Sequence, residues 1–291
     1  MRLRLGRPAL VVAAAVLAAT VTFSLDTPAG SVDAQSGPNR LTSAVGALFT
    51  RTPSGGIGTH FCTASVVDSP AGDLIVTAAH CMNGRSAGGV VFVPGYSHGQ
   101  APFGTWAVKR IIEDQAWMTS ADPDDDFAFL IVRQEGAHGG VEKLTGGMAI
   151  GVDVPAGKTV EVFGYPDNQD GLISCANIAL AFSPTQYQFN CGGFTDGTSG
   201  SPLLMNLGVP GGQATVIGVI GGYHQGGYRA SVSYAAKFSA NLSALYKTAL
   251  GEAGGLSART RGGQPECLAS PSPRGRQPAI QLLSLLCASQ P

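Results

Sequence analysis

Thr77-Ala78-Ala79-His80-Cys81 follows directly on the apolar run Leu74-Ile75-Val76, so a buried strand delivers a histidine to a loop that its neighbouring cysteine can pin. A second stretch, Gly197-Thr198-Ser199-Gly200-Ser201-Pro202, puts a serine in a glycine turn about a domain later. A serine hydroxyl is a weak nucleophile at neutral pH. It needs a base within hydrogen-bond reach, and that base needs an orienting partner. A lone histidine is more often structural, and a glycine-flanked serine is often an ordinary turn. Here the order and separation of the two strings make His80 the candidate base and Ser199 the candidate nucleophile of an acyl-transfer site.

The orienting acid must come from Asp122, Asp124, Asp125 or Asp126. Such a run is usually a solvated loop. Asp126 stands apart because Phe127-Ala128-Phe129-Leu130 begins a buried strand immediately after it, and a carboxylate at that junction can face a histidine ring. Gly197 and Gly200 allow the backbone that aims two N–H groups at one point. The N–H groups of Gly197 and Ser199 are the expected oxyanion hole, where negative charge develops in the transition state. Ser201 stands where the G-x-S-x-G nucleophile elbow of an α/β-hydrolase would need its last glycine, so the string is not that elbow; the cysteine-flanked histidine and the closing helix weigh against an esterase of another fold.

Working outward, residues 41–132 read as short strands punctuated by Gly, Pro, Asn and Asp: Phe61–Val67, Leu74–Thr77, Val90–Val93, Trp106–Ile112 and Phe127–Val132. Glycine-rich residues 133–150 read as a connection. A second set follows at Thr159–Phe163, Gln186–Asn190, Ser201–Met205, Thr215–Ile220 and Tyr228–Tyr234. The expected fold is all-β, two small antiparallel barrels over 41–140 and 148–250. Phe238, Leu242, Leu245, Tyr246 and Ala249 then recur at helical spacing, with Gly251 as the expected end of the helix. Residues 252–291, dominated by Gly, Pro, Ser and Arg up to about Pro278, read as a poorly ordered tail.

With a formal net charge of -1, 13% charged residues and 41 glycines, the chain carries no basic stripe for nucleic acid and is too glycine-rich for a helical protein. Arg2, Arg4 and Arg7 precede an apolar run from Ala9 to Phe23, shorter than the roughly 20 residues of a spanning helix, so residues 1–34 are expected to be a signal peptide cleaved after Ala34. Export permits disulfides. The six cysteines allow 15 pairings, and spacing favours Cys62–Cys81 and Cys175–Cys191, with Cys267–Cys287 as a third candidate. No C-x-x-C or H-x-x-x-H pattern supports a metal site, and no cofactor is expected.

On these strings the chain resembles the chymotrypsin-like (trypsin-fold) serine peptidases, in particular the secreted bacterial branch that includes glutamyl endopeptidases. His60-Phe61-Cys62 is similar to the family segment that bonds to the cysteine after the histidine, and the histidine, aspartate and serine boxes follow in the family order. The resemblance covers residues 41–250 and implies two six-stranded barrels with a C-terminal helix, a site in the cleft between them, and triad roles for His80, Asp126 and Ser199. It implies a secreted, monomeric endopeptidase acting on polypeptides through an acyl-enzyme; the rival is a catalytically silent binding module on the same fold. Thr198 stands where animal digestive members carry the aspartate that pairs with a freed N-terminus. Gly193 stands where trypsin-like members bind basic side chains, and Ile220 where glutamyl endopeptidases carry a histidine, with His224 four residues beyond. The expected pocket walls are Cys191–Thr195, including Gly193, Phe194 and Thr195, and Ile220–Tyr223, with Gly221 and Gly222 leaving room for a side chain and an edge for a substrate strand.

Overall fold

The computed structural model describes residues 32–33, 40–134, 139–207 and 212–262. The expected export signal apart from Val32 and Asp33, and the cysteines Cys267 and Cys287, lie outside them. Among these residues fourteen strands and four α-helices alternate with tight turns. Six strands, β2 (Val45–Arg51), β3 (Ile57–Val66), β4 (Leu74–Thr77), β5 (Val90–Pro94), β6 (Trp106–Glu113) and β7 (Ala128–Arg133), close a barrel in the order β2-β3-β4-β7-β6-β5. The second barrel is built from β9 (Lys158–Gly164), β10 (Ile173–Ala181), β11 (Gln186–Phe189), β12 (Pro202–Met205), β13 (Thr215–Ile220) and β14 (Ser233–Lys237). Its ring runs β9-β10-β11-β14-β13-β12 and returns to β9. Closure leaves no free sheet edge in either ring. Two short strands lie outside the rings: β1 (Val32–Asp33) on β10 and β8 (Ala149–Ile150) on β13. Strand β1 ends one residue before the expected cleavage at Ala34, so a chain cut there would lack this pair.

Strands β4 and β7 pair Val76 with Phe129 and Thr77 with Ala128, which sets the C-terminal end of one beside the N-terminal end of the other. His80 and Asp126, just beyond those ends, are therefore neighbours by register. All four residues of β4 are buried, as are Phe92, Trp106, Phe127 and Phe129 around it. Burial of that many apolar side chains at roughly 1.5–3 kcal/mol each makes the strand ends rigid mounts for polar groups.

Strands β2 and β10, which the sequence pattern passes over, complete the two rings. The nine residues of β10, Ile-Ser-Cys-Ala-Asn-Ile-Ala-Leu-Ala, mix small and polar side chains and carry little β-signal of their own. The last strand begins at Ser233 rather than Tyr228. Before it the chain turns through Tyr223–Gly226, with His224 and Gln225 at φ 49° and 55° and the glycines Gly226 and Gly227 at 109° and 114°, a path that no strand can follow.

Three short helices, α1 (Arg40–Ala44), α2 (Gln115–Ser120) and α3 (Glu142–Thr145), lie in the connections. The last helix, α4 (Ala240–Gly262), corrects the sequence expectation: it does not stop at Gly251. Residues 252–262 are helical rather than part of a disordered tail. Leu242, Leu245, Ala249 and Ala253 continue one apolar stripe that packs against the first barrel, with Phe129 and Tyr246 rings 5.3 Å apart. Glu252 pairs with Arg110 and the Ser257 hydroxyl accepts from Arg133, contacts that act against the roughly 1 kcal/mol that each of the helical glycines Gly251, Gly254 and Gly255 costs.

Candidate active site

The chain leaves β4 at Thr77 and enters a single 3-10 turn, Ala79–Met82, that carries His80. A disulfide joins Cys81 of this turn to Cys62 of β3, and a second joins Cys175 to Cys191. Asp126 follows another 3-10 turn, Pro123–Asp125, whose start is capped by the Asp122 carboxylate accepting from the Asp124 N–H. Its side chain is fully buried and accepts three N–H groups. His80 donates twice, from its backbone N–H to Oδ1 at 2.8 Å and from Nδ1 to Oδ2 at 2.7 Å. Gly222 donates its backbone N–H to Oδ2 at 2.8 Å. With Nδ1–H turned to the carboxylate, Nε2 is the ring nitrogen left to accept a proton.

The other aspartates of the run have different partners. Asp125 accepts from Asn241 of α4 at 3.0 Å, and burial still pushes its pKa upward against that donor. Asp124 accepts from the Gln186 side chain at 2.7 Å. One loop of the first barrel thus reaches the second barrel and the terminal helix through three successive carboxylates.

Ser199 lies between Gly197 (φ 86°) and Gly200 (φ 83°), two positions whose positive φ favours glycine. A residue not singled out in the sequence, Thr63 of β3, holds this turn across the barrel interface. Its N–H donates to the Ser199 carbonyl at 2.8 Å, and its hydroxyl donates to the Gly197 carbonyl at 3.1 Å and accepts from Tyr165 N–H at 2.9 Å. Thr77 of β4 donates its hydroxyl to the Thr63 carbonyl at 2.7 Å. The N–H groups of Thr198, Gly200 and Ser201 are engaged by Thr195, Ile220 and Thr198. Those of Gly197 and Ser199 donate to no group among the described residues. They are the pair expected to form an oxyanion hole.

A Cβ on Gly200 would lie 2.1 Å from the Thr63 carbonyl oxygen and 2.2 Å from Thr77 Oγ1. Gly200→Ala is therefore expected to destabilise the fold by about 3 kcal/mol or more, from backbone strain plus overpacking. Urea unfolding of the variant measures this, and a change below 1 kcal/mol would contradict it.

A cavity of about 430 Å³ opens beside Ser199. Of the residues singled out in the sequence as pocket walls, Phe194, Thr195 and Ile220 line it, and Gly193, Gly221, Gly222 and Tyr223 do not. The opposite wall is the strap Gln225–Ala230 together with buried Ser233. Gly221 and Gly222 are closely approached from the first barrel and by Gln186. A Cβ on Gly221 would lie 2.8 Å from Asp126 Oδ2, so the absence of a side chain makes room for the carboxylate. All three N–H groups of this segment are used internally, by Tyr234, Asp126 and Gln186. The Gly222 carbonyl is likewise engaged, by the Gln225 N–H, so a substrate strand laid along the segment would find few free backbone groups. His224 is exposed, shares a hydrogen bond with the Tyr228 hydroxyl and is not on the cavity wall.

His60, two residues before Cys62, packs behind Gly197, where a Cβ would meet its ring at 2.9 Å. Its ring contacts Phe49 and Tyr165, and its Nε2 is buried without a partner. Burial holds its pKa below 6.5, against the pull of Asp167. The unfolded chain thus takes up a proton at this position before the folded one. The stability that neutral His60 contributes is complete above pH 6.5 and is lost as pH falls through the lower folded value. His60→Phe, which keeps the ring contacts, is expected to flatten the fall in urea midpoint below pH 6.5. Parallel profiles for the two proteins would refute this.

One group of candidate metal ligands occurs among the described residues, Cys62, His80 and Cys81, with ligand atoms within 4.8 Å of one another. Both sulfurs are tied in the disulfide and have no thiolate to offer.

A model of the trypsin-like peptidase domain matches residues 58–219, which span the histidine, aspartate and serine strings. The chain belongs to the trypsin-like peptidase family. Solved structures agree with the fold of this peptidase domain. The protease Anisep from Arthrobacter nicotinovorans is 23% identical with a TM-score of 0.60, over 72% of this chain and 96% of its own. The thermostable serine protease AL20 from an extremophilic microorganism is 26% identical with a TM-score of 0.59, over 72% and 98%. A Glu endopeptidase is 16% identical with a TM-score of 0.60, over 77% and 97%. No curated protein matches the sequence.

Proposed function

We propose that this trypsin-like peptidase is a secreted serine endopeptidase whose catalytic residues are Ser199, His80 and Asp126. The observation that carries the reading is the double hold of one buried carboxylate on His80, through the backbone N–H and Nδ1, which leaves Nε2 as the proton acceptor. Ser199 Oγ attacks the scissile carbonyl while His80 Nε2 takes its proton, and Asp126 stabilises the imidazolium that results. The N–H groups of Gly197 and Ser199 receive the oxyanion. His80 then gives the proton to the leaving amine, the acyl-enzyme forms, and water attacks it by the same route to release the acid and restore Ser199.

The basic and apolar N-terminus and the two disulfides support export, with cleavage after Ala34. No described helix is long and apolar enough to cross a membrane. The secreted protein, incubated with a mixed peptide library and read by mass spectrometry, is expected to make internal cuts and to be labelled at Ser199 by a phosphonate probe. Neither cuts nor label, from protein with a verified mature N-terminus, would favour the silent binding module.

A further inference from the structure

Gln186 is a buried polar residue of β11 whose side chain bridges two loops. Its backbone already pairs with Ala236 in the β11–β14 ladder, and its side chain adds nothing apolar to the core. Both ends of its amide are nonetheless committed. The NH2 group donates to Asp124 Oδ1 at 2.7 Å, and the carbonyl accepts from the Tyr223 N–H at 2.8 Å. Asp124 belongs to the loop that ends in Asp126, and Tyr223 follows Gly222, whose N–H donates to Asp126 Oδ2. Gln186 thus closes a ring of contacts: aspartate loop, Gln186, Tyr223, Gly222 and back to Asp126. Gly222 has little freedom within it, since a Cβ there would lie 2.8 Å from Gln186 Oε1 and 3.0 Å from the Pro123 carbonyl.

We infer that Gln186 is a positioning residue. It holds the Gly222 N–H on Asp126 by clamping the next residue, Tyr223, to the same loop, and so fixes the carboxylate that orients His80. The inference rests on the triad reading above. Without the clamp, Tyr223 keeps its ring contacts with Phe182 and Tyr234 but its N–H loses its acceptor, and the Gly222 N–H is less firmly held on Asp126. The imidazole is then less firmly held in the tautomer that leaves Nε2 open. The effect falls on the chemical step for every substrate, and not on the binding of long ones.

The experiment compares wild type, Gln186→Leu and Gln186→Glu on a single-residue ester and on a long peptide, with rates divided by the fraction of sites titrated by a phosphonate. Gln186→Leu is expected to lower kcat roughly tenfold on both substrates with KM nearly unchanged, the size of one buried hydrogen-bond pair lost. Gln186→Glu matches it at neutral pH, where a carboxylate faces Asp124, and recovers toward wild type as pH falls, because the protonated acid again offers one acceptor and one donor. The His80 Nδ1 proton, followed by NMR, is expected to exchange with water faster in Gln186→Leu. This last measurement needs no turnover, so it tests the clamp even if Ser199 fails to take the probe. A lowered melting temperature with unchanged kcat per titrated site and unchanged proton exchange would overturn the inference. So would a gain in rate confined to the long peptide, which would make Gln186 a latch over the substrate edge.

Discussion

Ser199→Ala is expected to lower kcat/KM for peptide hydrolysis about a millionfold while the protein folds normally. The structure separates the two consequences. What holds the serine turn is backbone: Thr63 N–H on the Ser199 carbonyl, the Thr63 hydroxyl on the Gly197 carbonyl, and the Gly200 N–H on Ile220. Alanine keeps all of these and removes only Oγ. The residual rate over buffer, about 10³–10⁴-fold, is the share that substrate binding and the oxyanion donors supply without a nucleophile. Initial rates on a fluorogenic peptide, with melting temperature as the control for folding, measure both. Retention of full activity would remove Ser199 from the mechanism.

Asp126→Asn is expected to cost roughly ten-thousandfold in kcat. The substitution is nearly isosteric, but Asp126 is an acceptor at both oxygens, toward His80 N–H, His80 Nδ1 and Gly222 N–H. An amide offers one acceptor and one donor. If its NH2 faces His80 Nδ1, the ring must give up the proton there and carry it on Nε2, where it can no longer accept the serine proton. If it faces the backbone side, a buried N–H is left unpaired at about 1–3 kcal/mol. Activity and stability are therefore expected to fall together, in contrast to Ser199→Ala. Kinetics paired with urea unfolding distinguish them. A loss of less than tenfold would mean that another group orients His80.

The same comparison shows why some of the candidate site has a signature along the chain. His80, Asp126 and Ser199 each sit at the junction of a buried strand with a turn, and that junction is a local pattern. Leu74–Thr77 and Thr215–Ile220 are read at their true limits because continuous apolar runs bounded by turn residues leave little choice. The Cys62–Cys81 and Cys175–Cys191 pairs follow from spacing within one hairpin or one barrel. Other contacts left no local mark. Gly221 reads along the chain as open space for a substrate, while in the fold a Cβ there would lie 2.8 Å from Asp126 Oδ2, because glycine suits a tight approach to a carboxylate as well as it suits an open pocket.

By itself the sequence determined the all-β class with a closing helix, the two-barrel division, and the order in which histidine, aspartate and serine arrive at strand ends. These depend on hydrophobic period, turn residues and glycine, which act over a few positions. Only the tertiary structure decided who completes the site. Thr63 meets Gly197 across 134 positions, Gly222 meets Asp126 across 96 and Gln186 meets Asp124 across 62. The strap Gln225–Ala230 became a cavity wall, and α4 ran on past Gly251, for the same reason. Each of these outcomes is set by which distant surfaces the closed barrels press together, and a hydrogen bond between buried groups leaves no periodic mark on the chain that makes it.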